Sequence, residues 1–304
     1  MDFVFDVLNQ RGIRVAGKTL RRHTHQGWMS SVFKMDSSVG PIIIHVADLV
    51  EEHRRNKVWE KFSGLAHLFA NHQEIPAATI YYSGLADSKF ILVQKFLNGA
   101  PAGRRTLHQG VIADEWFVDR AVTIKKILAA LANVHAITLR GFGWPSPNEE
   151  TLQGPYPSWK DFFVEESPRW LESVREADER LQCHPIEGFA VSIKSIINKV
   201  EYAGPSVLVH GDAMNPSNIL IAKDGSISLL DWEWSIAADP AWEFCDLGWW
   251  TIIDSEKNDL DPEIVARARL YIPLWLLWGV HMHAKDINPE IYLALRQLLA
   301  DRLG

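Results

Sequence analysis

The segment spanning residues 207–233 constrains the fold more than any other part of the chain. An apolar run at residues 207–209 leads directly into His210-Gly-Asp212, a pattern typical of a strand that ends in a tight loop. Six residues after Asp212, Asn218 opens an apolar hairpin with a Lys-Asp-Gly-Ser turn. Asp231 stands at the end of that hairpin. The pattern predicts that strand ends deliver two aspartates and an asparagine for a shared chemical task.

These residue types suit phosphoryl transfer. One carboxylate orients an acceptor hydroxyl and takes its proton, while oxygen ligands hold Mg²⁺ against the phosphates. Taken singly, Asp and Asn in loops are mostly turn formers. The prediction therefore depends on the whole combination of strand, loop and hairpin.

The chain changes character near residue 100, where the cluster Asn-Gly-Ala-Pro-Ala-Gly occurs at 98–103. Before it, the patterns predict strands and one helix; after it, helical periodicity dominates. The predicted strands are 14–22, 31–35, 41–47, 78–82, 90–96, 207–209, 218–221 and 227–230. The predicted helices are 50–70, 114–137, 159–181, 186–202, 239–254, 262–283 and 289–302, and residues 141–157 are predicted to be loop.

Composition excludes several function classes. The 304 residues carry a net charge of −7, which argues against a nucleic-acid binder dominated by phosphate contacts. The longest apolar stretch is too short to span a membrane, and the N-terminus lacks the basic residues of a signal peptide. Two cysteines cannot form a disulfide framework. We therefore expect a soluble cytoplasmic protein with no nucleic-acid or membrane partner.

The segment at 207–233 resembles the aminoglycoside phosphotransferase and choline kinase-like small-molecule kinases, which are relatives of the protein-kinase fold. The Asp-Pro-Ala-Trp-Glu-Phe-Cys-Asp-Leu-Gly stretch at 239–248 is also similar to that family. The resemblance implies that Asp212 is the catalytic aspartate, that Asn218 and Asp231 are Mg²⁺ ligands, and that Asp246 holds the lobe together.

The fold implied is α+β and bilobed, with a small antiparallel-sheet N-lobe and a mostly helical C-lobe. We expect the nucleotide-binding N-lobe at 1–97 and the C-lobe at 98–304. The C-lobe would contain the catalytic loop at 207–233, a helical insertion at about 141–203 and the C-terminal helices.

Two departures from the family pattern bear on activity. The family usually spaces its catalytic Asp and metal Asn five residues apart, whereas six separate Asp212 and Asn218 here, so Asn215 is a second candidate ligand. The third strand normally ends in a Lys or Arg that touches the phosphates, but His45 stands at that position. Either His45 in its charged form or Lys34 would take that role, or nucleotide binds poorly.

The remaining nucleotide contacts are also implied by the resemblance. Glu60, or alternatively Glu52, would orient the third-strand residue. Gln26 and Gly27 lie in the loop between the first two strands, which has a single glycine in 24–30 and is no phosphate cradle by itself. Gln94 and Phe96 lie where the hinge that reads the adenine belongs.

Thirteen tryptophans and the excess of acids favour a cationic or amphipathic acceptor. Trp232 and Trp234, next to Asp231, are candidate substrate contacts, although core packing explains most tryptophans. Glu233 and Glu243 would meet a polycationic acceptor.

The leading hypothesis is a Mg²⁺-dependent kinase that uses ATP or GTP to phosphorylate a hydroxyl of an aminoglycoside-like compound, amino alcohol or other natural product. The alternative is a degenerate kinase that serves as a binding module.

Overall fold

The structure is a computed structural model that describes residues 2–15, 21–22, 30–48, 58–108, 111–148, 151–185, 188–254, 260–284 and 289–303. The chain forms two compact units. Unit 1 comprises residues 1–100, 145–153 and 220–233, and unit 2 comprises residues 101–144, 154–219 and 234–304.

Unit 1 is built on an antiparallel sheet of five strands in the order β1-β2-β3-β5-β4. The strands are β1 Arg21–Arg22, β2 Ser30–Ser37, β3 Gly40–Ala47, β4 Ile80–Ala86 and β5 Lys89–Lys95. Among the described residues of this unit, the helices α1 Asp2–Gln10 and α2 Val58–Asn71 accompany the sheet. Later segments of the chain add β9 Ser146–Asn148, β10 Thr151–Gln153 and the strand β13 Ile227–Leu229.

Side-chain alternation along β3 gives the sheet two different faces. Ile44 is fully buried in a cluster with the apolar residues of α1. His45 points to the opposite face, where its partner on β5 is Leu92. Phe90, two residues before Leu92, meets Phe62 of α2 with ring centroids 5.8 Å apart. The face that carries His45 is therefore the one that α2 covers.

Unit 2 is mostly helical and has an aromatic core. Its longer elements are β7 Gly103–His108, β8 Val111–Trp116, α3 Arg120–His135, α4 Trp159–Leu181, α5 Phe189–Asn198, α7 Pro262–Ala284 and α8 Pro289–Leu303. The short elements are β6 Ala100–Pro101 and β12 Ile219–Ile221 at its boundary with unit 1, and β11 Val207–Val209, β14 Ile236–Ala238 and α6 Trp250–Ile253. Trp159 stacks on Phe162 at 4.9 Å and meets Trp242 edge-on at 5.4 Å. These buried rings dominate the packing of the unit.

The expected fold class is confirmed, but the helix predicted at 114–137 begins too early. Residues 111–116 form β8, paired with β7 in a hairpin, and alternate between exposed and half-buried positions. Helix α3 begins after Asp119, whose side chain accepts the N–H of Val122 and so caps the helix. The helix predicted at 239–254 is also wrong, since short 3₁₀ turns precede α6 there.

A buried polar chain joins α4 to α7 within unit 2. Arg169 can only donate, so Nε2 of His281 accepts its hydrogen bond at 2.6 Å. Nδ1 of His281 therefore carries the ring hydrogen and donates to Ser173 Oγ at 2.5 Å. Glu166 completes the chain by accepting from Arg169 at 2.8 Å.

Among the residues that the structure describes, no helix is both long and apolar enough to cross a membrane.

Replacing Ile44 by Ala should destabilise unit 1 by about 2–5 kcal/mol, because it opens a cavity where the surrounding sheet cannot collapse. Val39→Ala, at a site 43% exposed in the turn between β2 and β3, is the matched control and should change stability by less than about 0.5 kcal/mol. Urea unfolding measures both. Equal midpoints would contradict the packing described for β3.

Candidate active site

The His-Gly-Asp loop follows the buried strand β11, which pairs antiparallel with β14. Gly211 adopts φ +87°, and a Cβ at this position would lie 2.6 Å from the carbonyl oxygen of Trp234. Only glycine fits such a position without strain. The loop therefore turns sharply at Gly211 and presents Asp212 beyond the strand end.

Glu243 fixes the backbone of this loop. Its carboxylate, buried within unit 2, accepts the backbone N–H of His210 at 2.7 Å and that of Gly211 at 3.2 Å. A charge-assisted bond of this kind fixes the backbone on both sides of the turn. Glu243 is thus occupied by the loop, and the suggestion that it meets a cationic acceptor has no support in its placement.

Two asparagines bind the carboxylate of Asp212. Asn218 donates from Nδ2 to Asp212 Oδ2 at 2.7 Å, and Asn215 donates to the same oxygen at 3.1 Å. The amide oxygen of Asn215 accepts the N–H of Ser217 at 3.1 Å and so caps a 3₁₀ turn. The six-residue spacing therefore still brings Asn218 to Asp212, and the oxygen of Asn218 is the better placed of the two for a cation.

Arg105, on β7, holds the other oxygen of Asp212. Its guanidinium donates to Asp212 Oδ1 at 3.3 Å and to both oxygens of Asp246, at 2.8 and 2.9 Å. It also forms a two-point pair with Asp114 on β8, at 2.7 and 3.0 Å. These carboxylates raise the pKa of Arg105 against the opposing effect of burial, so the guanidinium stays charged.

Sequence reasoning missed Arg105 and Asp114. Both lie in the hairpin that the helical pattern concealed, and they are directly opposite each other in its register. The alternation of exposed and half-buried residues along β8 appears only in the structure, because the sequence Val-Ile-Ala-Asp-Glu-Trp at 111–116 has no apolar–polar alternation that would reveal the strand.

Asp231 belongs to unit 1 and follows β13 in the left-handed region, at φ +62°. The next residue, Trp232, is 2% exposed, donates its indole N–H to Leu229 O and packs edge-on against Phe69. Trp232 therefore anchors the turn, and its ring offers no surface to an acceptor. Part of the Asp231 residue is exposed to solvent.

Lys61 of α2 contacts this turn. It is 4% exposed and donates from Nζ to the backbone oxygen of Glu233. Burial lowers the pKa of Lys61 to about 7, although Glu233 and Asp231 act in the opposite direction. Loss of hydration in the surrounding protein raises the pKa of Asp231 to about 6, against the effect of Lys61.

The structure describes some of the residues that are predicted to contact the nucleotide. His45 is half-buried, with Nδ1 3.4 Å from Ser30 Oγ. The half-buried Gln94 lies opposite Ile43 in the sheet, and the N–H of Phe96 is bonded to Pro41 O, so this donor is already used. Glu60 is half-buried on α2. Gln26, Gly27 and Glu52 lie outside the described residues.

Trp234 belongs to an aromatic group in unit 2. Its ring meets Trp278 at 5.1 Å and Trp144 at 6.5 Å. The ring is half-buried, so one part of it remains accessible to a ligand.

Each unit carries an oxygen donor of the kind that Mg²⁺ prefers. In unit 1 this is the carboxylate of Asp231, and in unit 2 it is the amide oxygen of Asn218. Across the described residues, no cluster of three or more His, Cys, Asp or Glu side chains could hold a metal by itself. Mg²⁺ commonly takes one or two protein ligands and completes its shell with phosphate and water.

A cavity of about 200 Å³ lies beside the Arg105 network in unit 2. Alternate residues of β8 point into it, so that Asp114 both lines the cavity and binds Arg105. The lining residues are Ile112, Asp114, Trp116, Arg120, Leu247, Gly248 and Thr251. The cavity thus combines an apolar wall with one carboxylate and one guanidinium.

A family model described as "Phosphotransferase enzyme family" matches residues 44–276 of the chain, which include the whole loop-and-hairpin segment. The chain belongs to this family. The expected resemblance and the expectation of a small-molecule phosphotransferase are thereby confirmed. Among curated protein sequences, none matches this chain.

Solved structures of the same fold cover nearly the whole chain at low identity. A candidate aminoglycoside phosphotransferase from Ralstonia eutropha has a TM-score of 0.63 at 13% identity, covering 99% of this chain and 96% of the other. A candidate fructosamine-3-kinase from Haemophilus somnus has a TM-score of 0.62 at 16% identity, covering 99% and 97%. Choline kinase LicA from Streptococcus pneumoniae has a TM-score of 0.53 at 14% identity, covering 99% and 98%.

Replacing Arg105 by Met should destabilise unit 2 by about 3–5 kcal/mol, because it leaves the buried Asp246 without its charged partner. The neighbouring Arg104 pairs with Glu115 on the exposed face of the hairpin, and Arg104→Met should cost less than about 0.5 kcal/mol. Urea unfolding of the two variants tests the contrast. Equal losses would mean that the Arg105 network does not stabilise the unit.

Proposed function

We propose that the chain transfers the terminal phosphate of ATP or GTP to a hydroxyl group of a small molecule, with Mg²⁺ bound to the phosphates. The observation that carries this proposal is the carboxylate of Asp212, which is held by Asn218, Asn215 and Arg105 at the end of a strand. Family membership supports phosphoryl transfer as the reaction type.

In the proposed reaction, Asp212 orients the acceptor hydroxyl and takes its proton. The hydroxyl oxygen forms a bond to the terminal phosphorus as the bond from phosphorus to the nucleoside diphosphate breaks. The donors on Asp212 fix the plane of its carboxylate, so little reorganisation is needed when the acceptor arrives.

Asn218 and Asp231 would hold Mg²⁺, which neutralises the charge that develops on the phosphate oxygens. The geometry of Asn218 supports this role, because its Nδ2 is used on Asp212 while its oxygen points elsewhere. ATP and free Mg²⁺ are cytoplasmic pools, and we place the reaction there.

The cavity beside Arg105 is the site that we propose for the acceptor. It lies in the same unit as Asp212, and Arg105 binds both Asp212 and the lining residue Asp114, so a part of the acceptor remote from the reacting hydroxyl would occupy it. Trp116 and Leu247 give the cavity an apolar surface, and Asp114 is a partner for a cationic or hydroxyl group.

A binding module without catalysis is the second candidate, favoured by His45 at the position where the family carries a Lys or Arg. Such a protein would bind nucleotide or a small molecule and would not need Asp212. Turnover therefore distinguishes the two candidates.

Asp212→Asn should lower turnover by at least 10²-fold, because the amide cannot take the proton, while nucleotide binding is retained. Asp231→Asn should instead abolish the Mg²⁺-dependent thermal stabilisation by nucleotide. Asp224→Asn, in the exposed turn of the hairpin, is the control for both. Release of ADP or GDP is followed with a panel of aminoglycosides, amino alcohols and sugars. Full turnover by the Asp212 variant would refute the mechanism.

Ile112→Trp should fill the acceptor cavity and raise the KM of the best acceptor at least tenfold, with nucleotide binding unchanged. Val111→Trp is the matched control, because Val111 is 64% exposed on the opposite face of β8. Steady-state kinetics with varied acceptor measures both. An unchanged KM in the Ile112 variant would place the acceptor elsewhere.

A further inference from the structure

The phosphates of a bound nucleotide require a positively charged side chain, and β3 carries no lysine or arginine at the expected position. His45 occupies the expected position, but its Nδ1 lies 3.4 Å from a hydroxyl, Ser30 Oγ. A neutral imidazole contributes a hydrogen bond without a fixed charge. The cation must therefore come from another element that reaches the same face of the sheet.

Lys34 lies on this face but is directed towards the end of β5. It is opposite Ile43 in the register, and its Nζ lies 3.4 Å from the centroid of the Phe96 ring. A cation–π contact of this kind gives the amine a partner beside the hinge segment. Lys34 is thus placed for the hinge and not for the turn that carries Asp231.

Lys61 is placed differently. It occupies the buried side of α2, in helical register with Val58 and Leu65, where an apolar residue is expected. Its Nζ reaches the turn at 231–233, donating to Glu233 O, and interacts electrostatically with Asp231. A buried ammonium group has a large desolvation cost, and the negative charges of Glu233 and Asp231 favour keeping it at this turn.

We propose that Lys61 is the phosphate-binding cation of the nucleotide site, carried by α2 in place of the lysine or arginine that the family places on β3. The inference rests on the proposed kinase function. Helix α2 covers the face on which His45 lies, so the charge reaches the same side of the sheet from the helix instead of the strand. The ammonium group would bind the phosphate oxygens of ATP while remaining beside Asp231.

The test compares nucleotides that have phosphates with one that has none. Dissociation constants of ADP with Mg²⁺ and of adenosine are measured by calorimetry for the wild type and Lys61→Met. We expect the affinity for ADP to fall at least tenfold and the affinity for adenosine to change less than twofold. Lys223→Met, at an exposed position in the turn between β12 and β13, is the control and should change neither.

A second variant distinguishes a loss of phosphate binding from misfolding of Lys61→Met. His45→Lys combined with Lys61→Met returns the cation to β3 and should recover at least part of the lost ADP affinity. If Lys61→Met weakens ADP and adenosine equally, or the double variant recovers nothing, the lysine has only a structural role and the proposal is wrong. Failure of the wild type to bind ADP or ATP would refute the kinase function itself, whereas ADP binding that survives Lys61→Met refutes only the role of Lys61.

Discussion

The ion pairs of the Arg105 guanidinium hold together the part of unit 2 that contains Asp212. It binds three carboxylates, those of Asp114, Asp212 and Asp246, which come from the hairpin, the His-Gly-Asp loop and the 3₁₀ region before α6. Without this group the three negative charges would repel one another in a partly desolvated place. With it, the three carboxylates still outnumber the one guanidinium by two, so the neighbourhood remains negative and suited to cations.

The loop and hairpin could be predicted from sequence because every signal in them is local. An apolar strand, a glycine at a left-handed position and a four-residue turn act within a few residues of one another. The strands predicted at 218–221 and 227–230 are found as β12 and β13, within one residue at each end. The expected α+β architecture followed from the change in periodicity near residue 100.

Long-range contacts were beyond the reach of pattern reasoning. Arg105 and Asp212 are 107 residues apart, and nothing in the composition of either neighbourhood connects them. Lys61 was hidden for a different reason, since a lysine beside apolar helical positions is normally assigned to the solvent side. Helix α1 was also missed, although its apolar residues supply part of the core under β3.

The location of Lys61 has a mechanical consequence. A cation on β3 would be held in place by backbone ladders to β2 and β5 on both sides. A cation on α2 is held by side-chain packing, and packed helices slide over sheets more readily than a central strand moves within one. The distance between the Lys61 ammonium group and the phosphates then depends on the position of α2. Any partner or ligand that displaced α2 along its axis would change nucleotide affinity without touching the nucleotide.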